Sequence, residues 1–498
     1  MIALSGIEAR HLARSPLLWL GMVLAAAFAV MELLTVWPVL AGDDLLAYRD
    51  GFLVAGGALL AGAWLALRDR TTGAADLLAV TPTAPWRLWR ARLAAVAVAA
   101  AGAFAAVFVA GLAVSAARGG RGTPDLRLLA DGALAVVLGG WVGVAVGRLG
   151  SRVVPLLVAP PLVACSLLVA SLPRVTDQRL SVQRLSPVLS FEDRSAVFGF
   201  LPDAFWPHQG YLAGLLLVAG VMLVAVPAWR SPQRPPLGPV LAVSLAGVVL
   251  VGATGARLVA LPDRELVVGP APSDRVAVGF RYEELSVSPG SSFGYPQDGR
   301  ARSCAGDAVM SVCVYPAYGR RLASFARQAM QPVVGLFAGL PGVPTRARMV
   351  PMVSQGSDMA ACGDGEVQLN EVLGRYTPPS GPASNTAAKV PYASAYLRCA
   401  LQGAGTVDDG NLDHDAANAT DAVSLWALLA GGLVTRQEVE RALQTDSATF
   451  PMPSQASAEA ALAMATLPAA QVRAELAAVW EGLRAGRLSL AELPGQQP

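Results

Sequence analysis

Long apolar runs alternate with short polar breaks over the first 260 residues of the chain, and the pattern then disappears. The runs cover 17–40, 51–67, 93–115, 128–147, 153–172, 210–228 and 237–260. Most are close to the ~20 residues that cross ~30 Å of hydrocarbon at ~1.5 Å per residue. A helix satisfies its own backbone hydrogen bonds in lipid, whereas irregular chain does not. The pattern therefore predicts a polytopic α-helical membrane bundle of about seven transmembrane helices over 17–260, followed by an α+β soluble domain over 261–498. Ahead of the first run, residues 1–16 set Ile2, Leu4, Ile7 and Leu12 among arginine and glutamate, which predicts an interfacial amphipathic helix ending at Pro16.

Past residue 260 the periodicity shortens. Alternating stretches predict strands at Glu265–Val268 and Arg275–Val287. Helical spacing predicts helices at Arg320–Leu336, Ala383–Leu401, Ala419–Leu433, Arg436–Gln444 and Glu459–Ala485. Pro- and Gly-rich pieces near 289–298, 341–344 and 377–382 read as loops.

Composition agrees with a membrane protein: 54% of residues are hydrophobic and 15% charged, and the mean hydropathy is +0.48. A soluble domain carries about 25% charged residues. The net charge of +2 and the lack of a basic tract give no sign of nucleic acid. Lys389 is the only lysine, and the Ala, Gly, Val, Leu, Pro and Arg excess points to a GC-rich bacterial source and hence to a bacterial plasma membrane. Glu32, Trp37 and Pro38 follow the first run where a cleavage site would need small residues, so that run is expected to be a retained helix and not a signal peptide.

Arginines orient the bundle. With the N-terminus in the cytoplasm, the inner segments carry eleven arginines and the outer loops eight, a modest positive-inside bias. An odd number of spans then places the C-terminal domain outside the cell, where disulfides persist. Four cysteines lie in that domain, Cys304, Cys313, Cys362 and Cys399. Of their three pairings, Cys304–Cys313 with Cys362–Cys399 is the most local. Zinc is the rival use, but no Cys-x-x-Cys or nearby His accompanies them. Cys165, in the fifth run, reads as a small core hydrophobe.

The segment Arg68 to Arg92 is the most specific in the chain. It holds a short helical stretch, Ala74–Val80, ended by Thr81-Pro82, and restarts at Pro85-Trp86 among several arginines. A short N-terminal helix, a first hairpin and this Arg–Gly–Asp-Leu-Leu–Thr-Pro–Arg loop together resemble the type-2 ABC exporter permeases over about residues 1–230. The resemblance implies that the loop docks on a separate ABC ATPase subunit through Gly73, Asp76, Leu77, Leu78, Pro82 and Arg87. It also implies assembly with itself or with a second permease as a dimer in the lipid bilayer, without a cofactor. Segment 173–209, with Trp206, Pro207 and His208, resembles the family's outer loop between its last two spans. A seventh span and a large C-terminal domain depart from the family's usual six spans.

Within the spans, Gly139, Gly143 and Gly147 recur every four residues, a spacing that lets helix backbones approach within the bundle or across a dimer. Glu32 is the one strong acid read well inside a span. It is either a residue of a substrate or proton path or a carboxyl bonded to a neighbouring helix. No phosphate-cradling Gly-x-x-x-x-Gly-Lys loop is present, so an ATP-driven pump built on this chain needs another chain's ATPase. No His-Glu-x-x-His is present either. The run Asp408–Asp415 spaces its oxygens like a calcium loop, but His414 replaces the turn glycine and Thr420 the bidentate glutamate, so no metal is expected. The expected function is a non-enzymatic permease subunit of an exporter. The alternative is a polytopic anchor for an extracytoplasmic binding or assembly domain.

Overall fold

The computed structural model describes residues 2–71, 84–122, 124–149, 185–187, 198–199, 202–228, 237–260, 265–267, 276–278, 303–307, 309–315, 318–350, 360–363, 365–370, 386–401, 414–445 and 454–496, with single residues 157, 161 and 165. The chain divides into two compact units: Met1–Leu34 with Pro38–Tyr282, and Glu283–Pro498 with Thr35–Trp37.

The first unit is a helical bundle of α1 (Ile2–Ala13), α2 (Pro16–Thr35), α3 (Leu40–Gly51), α4 (Val54–Thr71), α5 (Pro85–Ala117), α6 (Arg127–Leu149), α7 (Pro202–Ala228) and α8 (Leu237–Ala260). Among the described residues, six helical stretches are long and apolar enough to cross a membrane: Pro16–Thr35, Gly42–Arg68, Pro85–Ala117, Arg127–Arg148, Phe205–Ala225 and Leu237–Ala260. The expected span at 153–172 lies almost wholly outside the described residues. Cys165 is exposed with a free thiol, not packed in a core as expected.

The second crossing departs from expectation. It begins at Gly42 and not at 51, so it takes in Asp43, Asp44, Arg49 and Asp50. The polar residues of α3 hide its start because they lower the local hydropathy. They are nevertheless accommodated, since α3 meets partners on other helices described below.

Helix directions follow from contacts near both ends. At one end His208 of α7 meets Asp131 of α6 at 2.7 Å. At the other end Arg148 of α6 donates to the Leu223 carbonyl of α7 at 2.5 Å. The two helices are therefore parallel, and Leu149 and Pro202 stand at opposite ends of the bundle. Helix α8 runs antiparallel to α7, with Gly210 beside Thr254, Gly214 beside Val251 and Gly247 beside Val218. Its other face carries exposed Leu241, Leu245, Val248 and Val249, as suits a surface solvated by lipid chains.

Small residues bring α4 and α6 together. A Cβ at Gly139 would lie 3.1 Å from the Ala55 Cβ, and one at Gly147 would lie 2.5 Å from the Ala63 carbonyl oxygen. One at Gly143 would collide with the Leu59 carbonyl. The four-residue glycine spacing thus serves packing inside this bundle.

In the second unit, a five-stranded sheet has the order β4-β5-β6-β8-β7, from β4 (Ser303–Gly306), β5 (Ser311–Val314), β6 (Arg346–Val350), β7 (Ala360–Gly363) and β8 (Glu366–Asn370). The β5–β6 and β6–β8 pairs are parallel, and the outer pairs are antiparallel. Helix α9 (Gly319–Phe337) makes the β5–β6 crossover and buries Leu322, Ala326, Met330 and Val333. Helices α10 (Thr386–Leu401), α11 (His414–Ala430), α12 (Arg436–Thr445), α13 (Gln455–Met464) and α14 (Ala469–Arg484) complete the unit. Phe337, Trp426 and Trp480 meet in its core, with ring centroids 6.3 and 5.5 Å from Phe337.

The single helix expected over Glu459–Ala485 is two helices, because Pro468 caps the start of α14 and its ring disfavours helical geometry at the preceding residue. Short strand β2 (Glu265–Val267) pairs on one side with β1 (Phe198–Gly199) and on the other with β3 (Val276–Val278) in a separate sheet of the first unit. The rest of the long strand expected at 275–287 lies outside the described residues. His414, Asp415 and Thr420 of the acidic run stand on α11, and its earlier residues are not described.

Candidate functional site

Two polar clusters occupy opposite ends of the bundle. At the end that carries α1, Glu8 is buried and receives Arg68 Nη2 and Nη1 at 2.8 and 3.1 Å. The Arg92 Nε lies 3.7 Å from the same carboxylate, on a side chain 2% exposed. Glu8 is on α1, Arg68 near the end of α4 and Arg92 in the second turn of α5, so one carboxylate ties three helices. On α1, Ile7 is 55% exposed, while Glu8 and Leu12, one turn apart, face inward. Two guanidinium groups inside draw the acid in.

Aromatic rings extend this cluster. Arg92 and Arg148 both lie over Trp89, at 5.0 and 3.7 Å from the ring centre. Exposed Arg87 and Arg90 flank Trp86 at 5.3 and 5.5 Å. Arginine and tryptophan together suit the membrane interface, where an apolar body and a polar tip are both accommodated. Of the residues implied for ATPase coupling, Arg87 sits here, on the first turn of α5. Gly73, Asp76, Leu77, Leu78 and Pro82 lie outside the described residues.

At the far end, Asp131 of α6 and His208 of α7 are 0% exposed. The Tyr48 hydroxyl of α3 donates to Asp131 Oδ2 at 2.7 Å. His208 Nδ1 meets Asp131 Oδ1 at 2.7 Å, and Nε2 meets the Ser186 carbonyl at 2.9 Å. Beneath the group, Phe104 fills the space left by Gly51 and Gly132 and stands edge-on to Tyr48 at 6.3 Å.

Glu32 pairs with Arg49 of α3, which also reaches Asp50 at 3.1 Å. It is thus a carboxylate bonded to a neighbouring helix. It is also not the only acid within a crossing, since Asp43, Asp44, Asp50 and Asp131 lie in crossings and are buried. Asp43 accepts from the Val39 amide at 3.0 Å and from the Ser115 hydroxyl. Asp44 accepts from the Asp125 amide at 2.6 Å. Sequence reasoning passed over Tyr48, Asp131 and the Glu8 clamp. The only local signal was a polar residue placed in or next to an apolar run, which is costly unless it has a partner.

In the second unit, Cys304 and Cys313 are bonded and stand directly opposite on β4 and β5, with Cα atoms 4.1 Å apart. Cys362 of β7 is bonded to Cys399 of α10 across a Cα distance of 5.2 Å. The most local of the three pairings is the one present. Asp307 closes the β4–β5 turn, accepting from the Val309 and Met310 amides at 2.9 and 3.1 Å and from Arg327. Those donors hold its carboxyl below the usual range. Among the described residues, no group of three or more His, Cys, Asp or Glu side chains could hold a metal ion.

No protein-family model, curated protein or solved structure matches this chain.

Proposed function

We propose that this protein is the membrane-spanning permease subunit of an ATP-driven exporter of the ABC type, powered by a separate ATPase subunit. The carrying observation is the Glu8 clamp. Arg68 and Arg92 flank residues 72–84, the segment whose sequence resembles an ATPase-coupling loop, and both hold the carboxylate of α1. Force applied to that loop would reach three helices at once, through the two-point bond of Arg68 to Glu8 and the ion pair of Arg92 with it at 3.7 Å. The sequence lacks a phosphate-cradling loop, so the nucleotide site belongs to a partner. A second copy or a second permease would complete a path between bundles.

In this reading the α1 end faces the cytoplasm, with exposed Arg87 and Arg90 toward anionic lipid heads. In sequence, the apolar stretch 153–172 lies between α6 and α7. An odd number of crossings then puts the disulfide-bonded unit outside the cell. The disulfides support that placement, because a reducing cytoplasm does not keep them.

The test is affinity purification of the full chain from its own membranes. An ATPase subunit with a phosphate-binding loop should co-purify, and Asp76→Arg together with Arg87→Glu should release it. Recovery of the same ATPase in equal amount with the charge-reversed chain would refute the coupling assignment. Purification without any ATPase would refute the exporter reading.

A further inference from the structure

We infer that the Cys304–Cys313 disulfide is a thiol-exchange site: a dithiol donor reduces it by attack at Cys304, Cys313 leaves beside Arg348, and the unit stays folded. Cys362–Cys399 is by contrast a structural bond. The site lies within the second unit and does not depend on the exporter reading. Strand registers lay out one row across the sheet. Cys304 of β4 stands opposite Cys313 of β5, Cys313 beside Arg348 of β6, and Arg348 beside Gln368 of β8. Paired residues share a face, and neighbouring strands lie about 4.8 Å apart. Val312, Ala347, Met349 and Val367, adjacent along the strands, are buried on the opposite face. Cys304 is exposed and Cys313 half-buried. Among the described residues β4 is the outer strand of this sheet, so a thiol reaches Cys304 without parting two strands. The Arg348 Nε lies 3.2 Å from Glu366 Oε2, which holds the guanidinium on the disulfide's face.

Exchange proceeds by attack of a thiolate on one sulfur and departure of the other. The donor's sulfur bonds to Cys304 Sγ, the bond between the two Sγ atoms breaks, and its electron pair stays on Cys313 as a thiolate. The donor's second thiolate then attacks the donor sulfur of the mixed disulfide, and Cys304 leaves. Two electrons and the donor's two protons pass to the cysteine pair, and the donor becomes a disulfide. A neighbouring guanidinium stabilises the departing Cys313 thiolate and speeds the first step. Cys362 is exposed too. Attack there expels a thiolate on Cys399, which is 4% exposed, and burial disfavours that charge. The two disulfides thus differ in the sulfur that must leave.

Reduction does not release the hairpin. Strands β4 and β5 pair at four positions. The Asp307 carboxylate closes their turn by accepting from the Val309 and Met310 amides and from Arg327 of α9. The Ser311 amide donates to the Thr345 carbonyl at 3.0 Å and ties β5 to the start of β6. The two thiols therefore stay opposite each other at high effective concentration. The bond re-forms by the reverse exchange with the donor's own disulfide, so the pair stores and returns two electrons.

The test is timed reduction of the full chain in detergent by dithiothreitol, without denaturant. Thiols are alkylated at intervals and located by peptide mass spectrometry, with Cys165, a free and exposed thiol, as the internal standard. In wild type, Cys304 and Cys313 should be labelled together, at least about tenfold faster than Cys362 and Cys399. Thermal unfolding of that product, followed by circular dichroism, should stay cooperative. Equal rates for the two pairs would overturn the inference, and so would labelling of Cys304 and Cys313 only after denaturant is added. Neither comparison needs a variant. Glutathione used in place of dithiothreitol should be trapped on Cys304, and an adduct on Cys313 would overturn the direction of attack. Arg348→Met should slow reduction of the pair about threefold through the poorer leaving thiolate, and Arg348→Lys should keep most of the wild-type rate. An unchanged rate in Arg348→Met would overturn the part assigned to the guanidinium.

Discussion

Glu8 and Arg68, sixty residues apart in sequence, meet in a two-point ion pair with bonds of 2.8 and 3.1 Å. The carboxylate is 6% exposed and the guanidinium 33%, so the acid is the desolvated partner. Removing the arginine strands that carboxylate, whereas removing the acid leaves a cation able to reach solvent.

The two single variants should therefore differ. Arg68→Ala is expected to destabilise the bundle by about 2–4 kcal/mol, below the full penalty of a broken buried pair because Arg92 remains at 3.7 Å and one partner is partly exposed. Glu8→Gln should cost less. The measurement is thermal unfolding of the full chain in detergent, followed by helical circular dichroism. Equal losses for the two variants would contradict the asymmetry drawn from burial.

The glycines of α6 predict a ranking. Gly139→Ala needs an adjustment of a few tenths of an ångström against Ala55, whereas Gly143→Ala drives a methyl into the Leu59 carbonyl backbone. Backbone cannot swing aside as a flexible side chain can, so α4 and α6 must separate. Gly143→Ala should cost about 1–3 kcal/mol and Gly139→Ala clearly less. Folded yield after detergent extraction and unfolding midpoints together check the order. A more damaging Gly139→Ala would show that the tight approach lies elsewhere.

The crossings were legible because a continuous apolar run needs no distant information. The start of the second crossing was not, because Asp43, Asp44 and Asp50 look like loop residues until Ser115, the Asp125 amide and Arg49 are placed beside them. The same holds for Asp131 and His208, which are separated by 77 positions. Glu8 was visible, but its inward direction is set by two arginines on other helices. In the second unit, strands of four or five residues such as Ser-Cys-Ala-Gly carry too few β-branched side chains to stand out. Disulfides and parallel pairing organise them, and neither is a local signal.

The two disulfides should contribute unequally. In the chain-entropy account, closing a longer loop removes more freedom from the unfolded chain. The 37-residue separation of Cys362 and Cys399 corresponds to about 4 kcal/mol, and the 9-residue separation of Cys304 and Cys313 to about 2.5 kcal/mol. Cys362→Ser with Cys399→Ser should lower the unfolding midpoint of the full chain more than the other double variant. Limited proteolysis under non-reducing conditions should cut it first between β7 and α10. The opposite order would mean that native-state packing, not loop closure, sets the contribution.

Asp307 gives a pH dependence whose sign follows from its donors. Val309 and Met310 amides and Arg327 favour the carboxylate in the folded chain, and the unfolded chain offers none of them. The folded value is therefore lower than the unfolded one. The resulting stability is present above the ordinary aspartate range and is lost as pH falls through the folded value. Because the side chain is open to solvent, its share is small and should weaken in salt. Asp307→Asn should remove it, leaving a shallower decline of the unfolding midpoint on acidification than in wild type. Parallel acid profiles for the two proteins, measured at low ionic strength by thermal unfolding of the full chain, would assign the dependence to other carboxylates. Glu438, bonded to Thr435, and Glu492, bonded to Ser489, are next in line because their carboxyls are also held low by hydrogen bonds at helix starts.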